Sequence, residues 1–100
     1  MRTTHKLSLV VESEGIQIAI ITTSKAVTTL SAQGIAVKRI DIEEGRRPTV
    51  VIHPNATTRR MAALGKAVRY STGIDDQGRY QKFQYQLDKC RVVWEERGNG

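Results

Sequence analysis

The chain has 100 residues, which fits one domain able to bury a modest core without help from a metal or a disulfide. Its hydrophobic fraction of 39% and charged fraction of 26% are those of a folded protein and exclude intrinsic disorder. The net charge of +6 is uneven: residues 1–45 carry five basic and five acidic side chains, whereas residues 46–91 carry ten basic and three acidic ones.

Val, Ile and Thr supply 28 residues against five Leu, and branching at Cβ favours strands over helices. Leu7–Glu12 and Ile16–Thr23 read as two strands of a hairpin, turned at Ser13-Glu14-Gly15. Ser24 is then placed to cap a short helix over Lys25–Gln33, with Gly34 as its left-handed stop. Ile35–Ile42 and Thr49–Ile52 form a second hairpin around the polar turn Glu43–Pro48. His53-Pro54-Asn55 ends that strand, and Asn55 or Thr57 caps a second helix running through Leu64 to the stop at Gly65.

A short internal echo follows. Thr28-Thr29 leads to Gly34-Ile35-Ala36-Val37-Lys38, and Thr57-Thr58 leads to Gly65-Lys66-Ala67-Val68-Arg69. Both read as helix, glycine stop and strand, which assigns Lys66–Thr72 to a strand. Asp75-Asp76-Gln77-Gly78 is a turn, and Arg79–Leu87 is a strand with Phe83, Tyr85 and Leu87 on one side and Lys82, Gln84 and Gln86 on the other. The apolar parity then shifts to Cys90, Val92 and Trp94, which requires a bulge or tight turn near Asp88. The expected order is β-β-α-β-β-α-β-β-β: a single α+β domain over residues 1–100, a mostly antiparallel sheet of hairpins with two short helices covering one face, and a frayed tail at 97–100.

The chemistry legible in the sequence is sparse. One cysteine, Cys90, excludes an internal disulfide and a multi-cysteine zinc site, and its apolar surroundings make it a buried thiol. His5 and His53 have no partner at metal-ligand spacing, so no metal and no cofactor are expected. Gly65-Lys66 lacks the upstream glycine and the following hydroxyl of a phosphate loop. The apolar run Leu7–Val11 is shorter than the ~7–15 residues of a signal-peptide core. No run reaches the ~18 residues of a membrane span, and a cytoplasmic, membrane-free, non-enzymatic protein is the expectation. Catalysis would need His53 to meet an acid such as Asp41 in space.

The basic region carries the functional expectation. Arg46, Arg47, Arg59, Arg60, Lys66, Arg69, Arg79 and Lys82 are candidates for contacts to phosphates of DNA or RNA, with Tyr70 and Tyr80 as candidate stacking platforms. Lys89 and Arg91 would share one strand face, whereas Arg79 and Lys82 differ in parity. Neutralising about six phosphates on duplex DNA would give a slope of about −5 in log K against log salt. The competing expectation is a protein-interaction module or small homo-oligomeric accessory protein, of the kind carried by phages and mobile elements. Its basic surface would steer a protein partner, with Trp94 as the apolar anchor, or a strand edge would pair two copies into a homodimer. Lys and Arg also keep a β-rich surface soluble, which by itself accounts for much of the charge.

Overall fold

The computed structural model describes residues 14–98. The expected strand Leu7–Glu12 lies outside them. Where a second strand is expected, the chain is helical: α1 spans Glu14–Ala32, and Ser24 lies inside it rather than at its cap. The Ile16–Thr23 stretch alternates like a strand, yet Ala19, Thr23, Ala26 and Leu30 recur at the three- and four-residue spacing of a helix. Thr23, Ala26 and Leu30 are buried. The threonines fit the helix by turning their hydroxyls back on it: Thr23, Thr28 and Thr29 donate to the carbonyls of Ala19, Ser24 and Lys25 at 2.6, 3.0 and 3.2 Å. This bonding gives each of the three hydroxyls a partner on the helix itself. Ile18 and Ile21 face away from the core, 57% and 65% exposed.

The remaining elements follow the expected order with small shifts in their ends. They are β1 (Val37–Asp41), β2 (Thr49–Ile52), α2 (Ala56–Ala63), β3 (Val68–Asp75), β4 (Gly78–Leu87) and β5 (Cys90–Arg97). The protein has an α+β fold, with one sheet in the order β1-β2-β5-β4-β3. Three of its pairings are antiparallel and β2–β5 is parallel. Parallel neighbours cannot be joined by a tight turn, and here α2, β3 and β4 form the connection.

The echo between the two helix ends has a structural cause. Ile35 N–H donates to the Leu30 carbonyl and Gly34 N–H to that of Ser31. Lys66 and Gly65 repeat this pair of bonds onto Met61 and Ala62. Both are Schellman closures, with the glycine in the left-handed region at φ 74° and 77°. At the start of α2, Thr58 N–H donates to the Asn55 side chain at 3.0 Å and Asn55 N–H donates to the Thr58 hydroxyl at 2.8 Å. That reciprocal box fixes Asn55, not Thr57, as the cap. The Asn55 amide also donates to the Gly34 carbonyl at 3.2 Å, joining the start of α2 to the end of α1.

The parity shift near Asp88 is a tight turn. Asp88 and Lys89 both have positive φ, 49° and 65°, and connect the paired residues Leu87 and Cys90. Lys89 is therefore a turn residue and does not share a strand face with Arg91.

The core lies between the helices and one face of the sheet. Ala26 and Leu30 of α1, with Met61 and Ala62 of α2, pack over Val50, Ile52, Cys90, Val92 and Trp94. Phe83, Tyr85 and Leu87 extend this surface along β4. Trp94 is 1% exposed, stacked on Phe83 at 5.4 Å between ring centroids and met edge-on by Tyr85 at 6.2 Å. Burial of each large side chain here contributes about 1.5–3 kcal/mol. Trp94 is thus a core residue and cannot anchor a partner. Burial pushes the Cys90 thiol and the Tyr85 hydroxyl above their ordinary pKa values.

Candidate functional site

Register divides the expected basic surface between the two faces of the sheet. On β5, Cys90, Val92 and Trp94 point to the helices, so Arg91, Val93, Glu95 and Arg97 point to the other face. Their β4 neighbours there are Gln86, Gln84, Lys82 and Tyr80. Across β2, Thr49 and Val51 align with Arg91 and Val93, and Arg39 and Asp41 continue the face on β1. Neither α1 nor α2 covers this open face.

Three carboxylates on or beside the open face are paired. Asp41 pairs with Arg39 at 3.1 Å, while Asp75 and Glu95 pair with Arg97 at 2.7 and 2.6 Å. Arg97 holds Asp75 with both terminal nitrogens, and Gln77 N–H adds a bond at 2.9 Å. The Arg97 guanidinium and then the Gln77 amide lower the Asp75 pKa to about 2, and the two carboxylates raise that of Arg97.

Three cations of this face have no carboxylate partner among the described residues. Arg47 donates to the side-chain oxygen of Gln86. Arg91 donates to that of Gln84 at 2.7 Å and lays its guanidinium over the Tyr70 ring, 4.7 Å from the centroid. Lys82 stands 5.5 Å from the Tyr80 centroid, and Arg97 stands 5.2 Å from the same ring. Tyr70 sits at the irregularity between Arg69 and Ser71 in β3, which lets its ring reach across β4 to Arg91. Tyr80 is half-buried, pressed onto Gly73, its partner across β3 and β4. A Cβ at Gly73 would lie 2.5 Å from the Tyr80 hydroxyl oxygen.

The other expected contacts lie elsewhere. Arg59, Arg69 and Arg79 gather on the helix side of the sheet, around one end of α2, β3 and β4. Arg46 pairs with Glu43 at 3.4 Å in the β1–β2 connection. Arg60 on α2 and Lys66 beyond it are exposed and join neither group. Of the eight expected phosphate contacts, the open face therefore brings together Arg47 and Lys82, along with both tyrosines. Arg91, Gln84 and Gln86 complete the group. The outward parity of Arg91 between Cys90 and Val92 is the sequence signal that finds it.

His53 and Asp41 do not meet. Asp41 is opposite Thr49, whereas His53 follows Ile52, which is opposite Val37 at the other end of the β1–β2 pair. Among the described residues, no group of three His, Cys, Asp or Glu side chains could hold a metal ion. No helix of the described residues is long and apolar enough to cross a membrane.

Fold and site define a small α+β protein whose sheet buries one face under two helices and presents cations and tyrosines on the other. Over residues 5–97 the chain matches the family described as "Uncharacterised protein", and it belongs to that family. No curated protein and no solved structure matches it.

Proposed function

We propose that the protein binds single-stranded nucleic acid across the open face of its sheet. The observation that carries this reading is the grouping of Arg47, Lys82 and Arg91, none with a carboxylate partner among the described residues, beside Tyr70 and Tyr80. Aromatic rings on a sheet offer stacking surfaces to unpaired bases, and cations between them neutralise the phosphates that connect those bases. Gln84 and Gln86, now occupied by the two arginines, would take up base edges once the guanidinium groups turn to phosphate. A duplex is the poorer fit, because α2 has eight residues and both described helices are packed on the sheet, α1 through Ala26 and Leu30 and α2 through Met61 and Ala62. The protein then acts as a binder, without catalysis.

Fluorescence anisotropy of a labelled single-stranded oligonucleotide at two salt concentrations tests this. Three phosphate contacts give a slope of about −2 in log K against log salt. Absence of binding at low salt rejects the proposal.

A second copy of the chain is the alternative partner, favoured by one observation. β3 is an edge strand with Val68 and Ile74 61% and 69% exposed, and edge strands can pair with one another. Light scattering distinguishes this: a monomer at all concentrations removes the edge-paired dimer.

A further inference from the structure

We infer that the cleft between α2 and the ends of β3, β4 and β5, which opens on the helix side and reaches round the sheet edge to Tyr80 and Arg97, is a binding site for a phosphate group, distinct from the Arg47, Lys82 and Arg91 group. The cleft has a volume of about 770 Å³, within the ~300–1,000 Å³ of small-molecule sites. Arg59 of α2, Arg69 of β3, Arg79 of β4 and Arg97 of β5 line it, with Glu96 of β5 as the only carboxylate among the described lining residues. Four positive charges line the cleft against one negative, and with Arg97 committed to Asp75 and Glu95, the other three exceed Glu96 by +2.

These arginines are far apart in sequence, and the fold directs them to one place. Gln81 is opposite Glu96 in the β4–β5 ladder and opposite Thr72 in β3. Arg69 reaches the Gln81 side-chain oxygen at 3.2 Å. Arg59 Nε stands 3.2 Å from both oxygens of Glu96 and donates to Oε1. Oε2 is closed off from solvent and accepts no hydrogen bond among the described residues. Arg79 is two residues from Gln81, hence on the same face and about 7 Å along the strand. It has no hydrogen-bond or ion-pair partner for its guanidinium among the described residues. Two guanidinium groups therefore converge over the Gln81–Glu96 pair and a third stands beside them.

The chemistry selects the ligand. A guanidinium presents paired N–H donors that match two oxygens of one phosphate, and three such forks surround an anion with more oxygens than a carboxylate has. Phe83 and Ala62 supply apolar wall beside these groups, which lowers the local dielectric and strengthens the attraction. Arg69 is held only by a neutral amide, so phosphate takes it from Gln81 without breaking an ion pair. Glu96 competes with the ligand for Arg59 and moderates its affinity.

The phosphate could be free, carried by a mononucleotide, or placed at the 5′ end of a strand. The test is an NMR titration of the arginine Nε–H and backbone signals with inorganic phosphate at matched ionic strength. Saturable shifts are expected at Arg59, Arg69 and Arg79 and not at Arg39, whose Asp41 partner is on the other face. Arg69→Gln and Arg79→Gln, both at exposed positions, should each weaken binding at least tenfold while leaving Tm and circular dichroism unchanged. Glu96→Gln should tighten it severalfold. Linear, unsaturated shifts, or affinity unaltered in both arginine variants, would overturn the inference. Parallel titrations with a mononucleotide and with 5′-phosphorylated and 5′-hydroxyl oligonucleotides identify the carrier. The tightest phosphate-bearing ligand names the source, and no gain over inorganic phosphate makes the free ion the ligand. The open-face variant Arg47→Gln/Lys82→Gln/Arg91→Gln should keep full phosphate affinity, so this site and the nucleic-acid reading fail independently.

Discussion

The two faces of β5 alternate residue by residue, yet they do different work. Cys90, Val92 and Trp94 face the helices and are 0%, 0% and 1% exposed. Arg91, Glu95 and Arg97, interleaved with them, carry the charge of the open face, while Val93 between them is 7% exposed without belonging to the helix-covered core. Burial is concentrated on one side and the charged and aromatic groups of the proposed binding surface on the other, separated by the thickness of one strand. On the helix side, packing determines identity, because a changed volume cannot be refilled. On the open side, what matters is which cations lack an acid. Arg39 and Arg97 are tied to carboxylates, and Arg47, Lys82 and Arg91 are not tied to any described one.

The largest effect belongs to the packed face. Trp94→Ala removes the side chain that Phe83 and Tyr85 surround, and should lower the unfolding free energy in urea by about 3–5 kcal/mol. Any fraction that stays folded should keep its affinity for a single-stranded oligonucleotide. If affinity of the folded fraction fell as far as stability, the division between the faces would not hold.

Next comes the open face itself. Tyr70→Ala should weaken oligonucleotide binding by about 1–3 kcal/mol if one base stacks on that ring, with an almost unchanged Tm. Lys82→Gln should instead reduce the slope of log K against log salt by about 0.7, the share of one phosphate contact on a single strand. Titrations at several salt concentrations separate the two contributions.

A subtler variant is Gly73→Ala. The added methyl collides with Tyr80, whose ring must slide along the face toward Lys82 or Arg97. The ring displacement costs energy, while a residue other than glycine in a strand gains about 0.5–1 kcal/mol, so the net stability change is small. The displacement is read from the Tyr80 ring resonances. Their staying fixed would mean that Gly73 is not what lets the ring lie where it does.

The smallest effect is that of pH. The folded pKa of Asp75, about 2, is below its ordinary value of 3.8. Its ion pair with Arg97 therefore stabilises the protein above about pH 4 and loses that contribution as pH falls from about 4 to about 2. Tm measured against pH should show wild type above Asp75→Asn near neutrality and the two converging by about pH 2.

The sequence made most of the fold legible from β1 onward, because its signals there were local and agreed. Gly34 and Gly65 mark helix ends, Asn55 or Thr57 marks a cap, which the capping box assigns to Asn55, and Asp75–Gly78 marks a turn. The parity change near Asp88 calls for a bulge or a tight turn, and the structure makes it a tight turn with Cys90, Val92 and Trp94 on the buried side. The local signals fail at α1, where Ile16, Ile18 and Ile20 alternate convincingly and four threonines argue against a helix. The three-to-four-residue spacing of Ala19, Thr23, Ala26 and Leu30 is present, but only the burial of Thr23, Ala26 and Leu30 gives it priority. The site was half legible. Parity separates Arg79 from Lys82, and Tyr70 and Tyr80 stand out among the basic residues as candidates. What the sequence could not reveal was which strands are neighbours. Arg91 meets Tyr70 only because β5 lies two strands from β3, and Arg59 meets Glu96 only because α2 packs over that end of the sheet.

The most direct test compares two charge-matched triple variants by anisotropy with one single-stranded oligonucleotide. One removes the open-face cations, Arg47→Gln/Lys82→Gln/Arg91→Gln, and the other removes three exposed helix-side cations, Lys25→Gln/Arg60→Gln/Lys66→Gln. The first should lose at least a hundredfold in affinity, while the second loses only a severalfold, long-range share that added salt removes. Equal losses would contradict recognition by the open face and assign the binding to net charge alone.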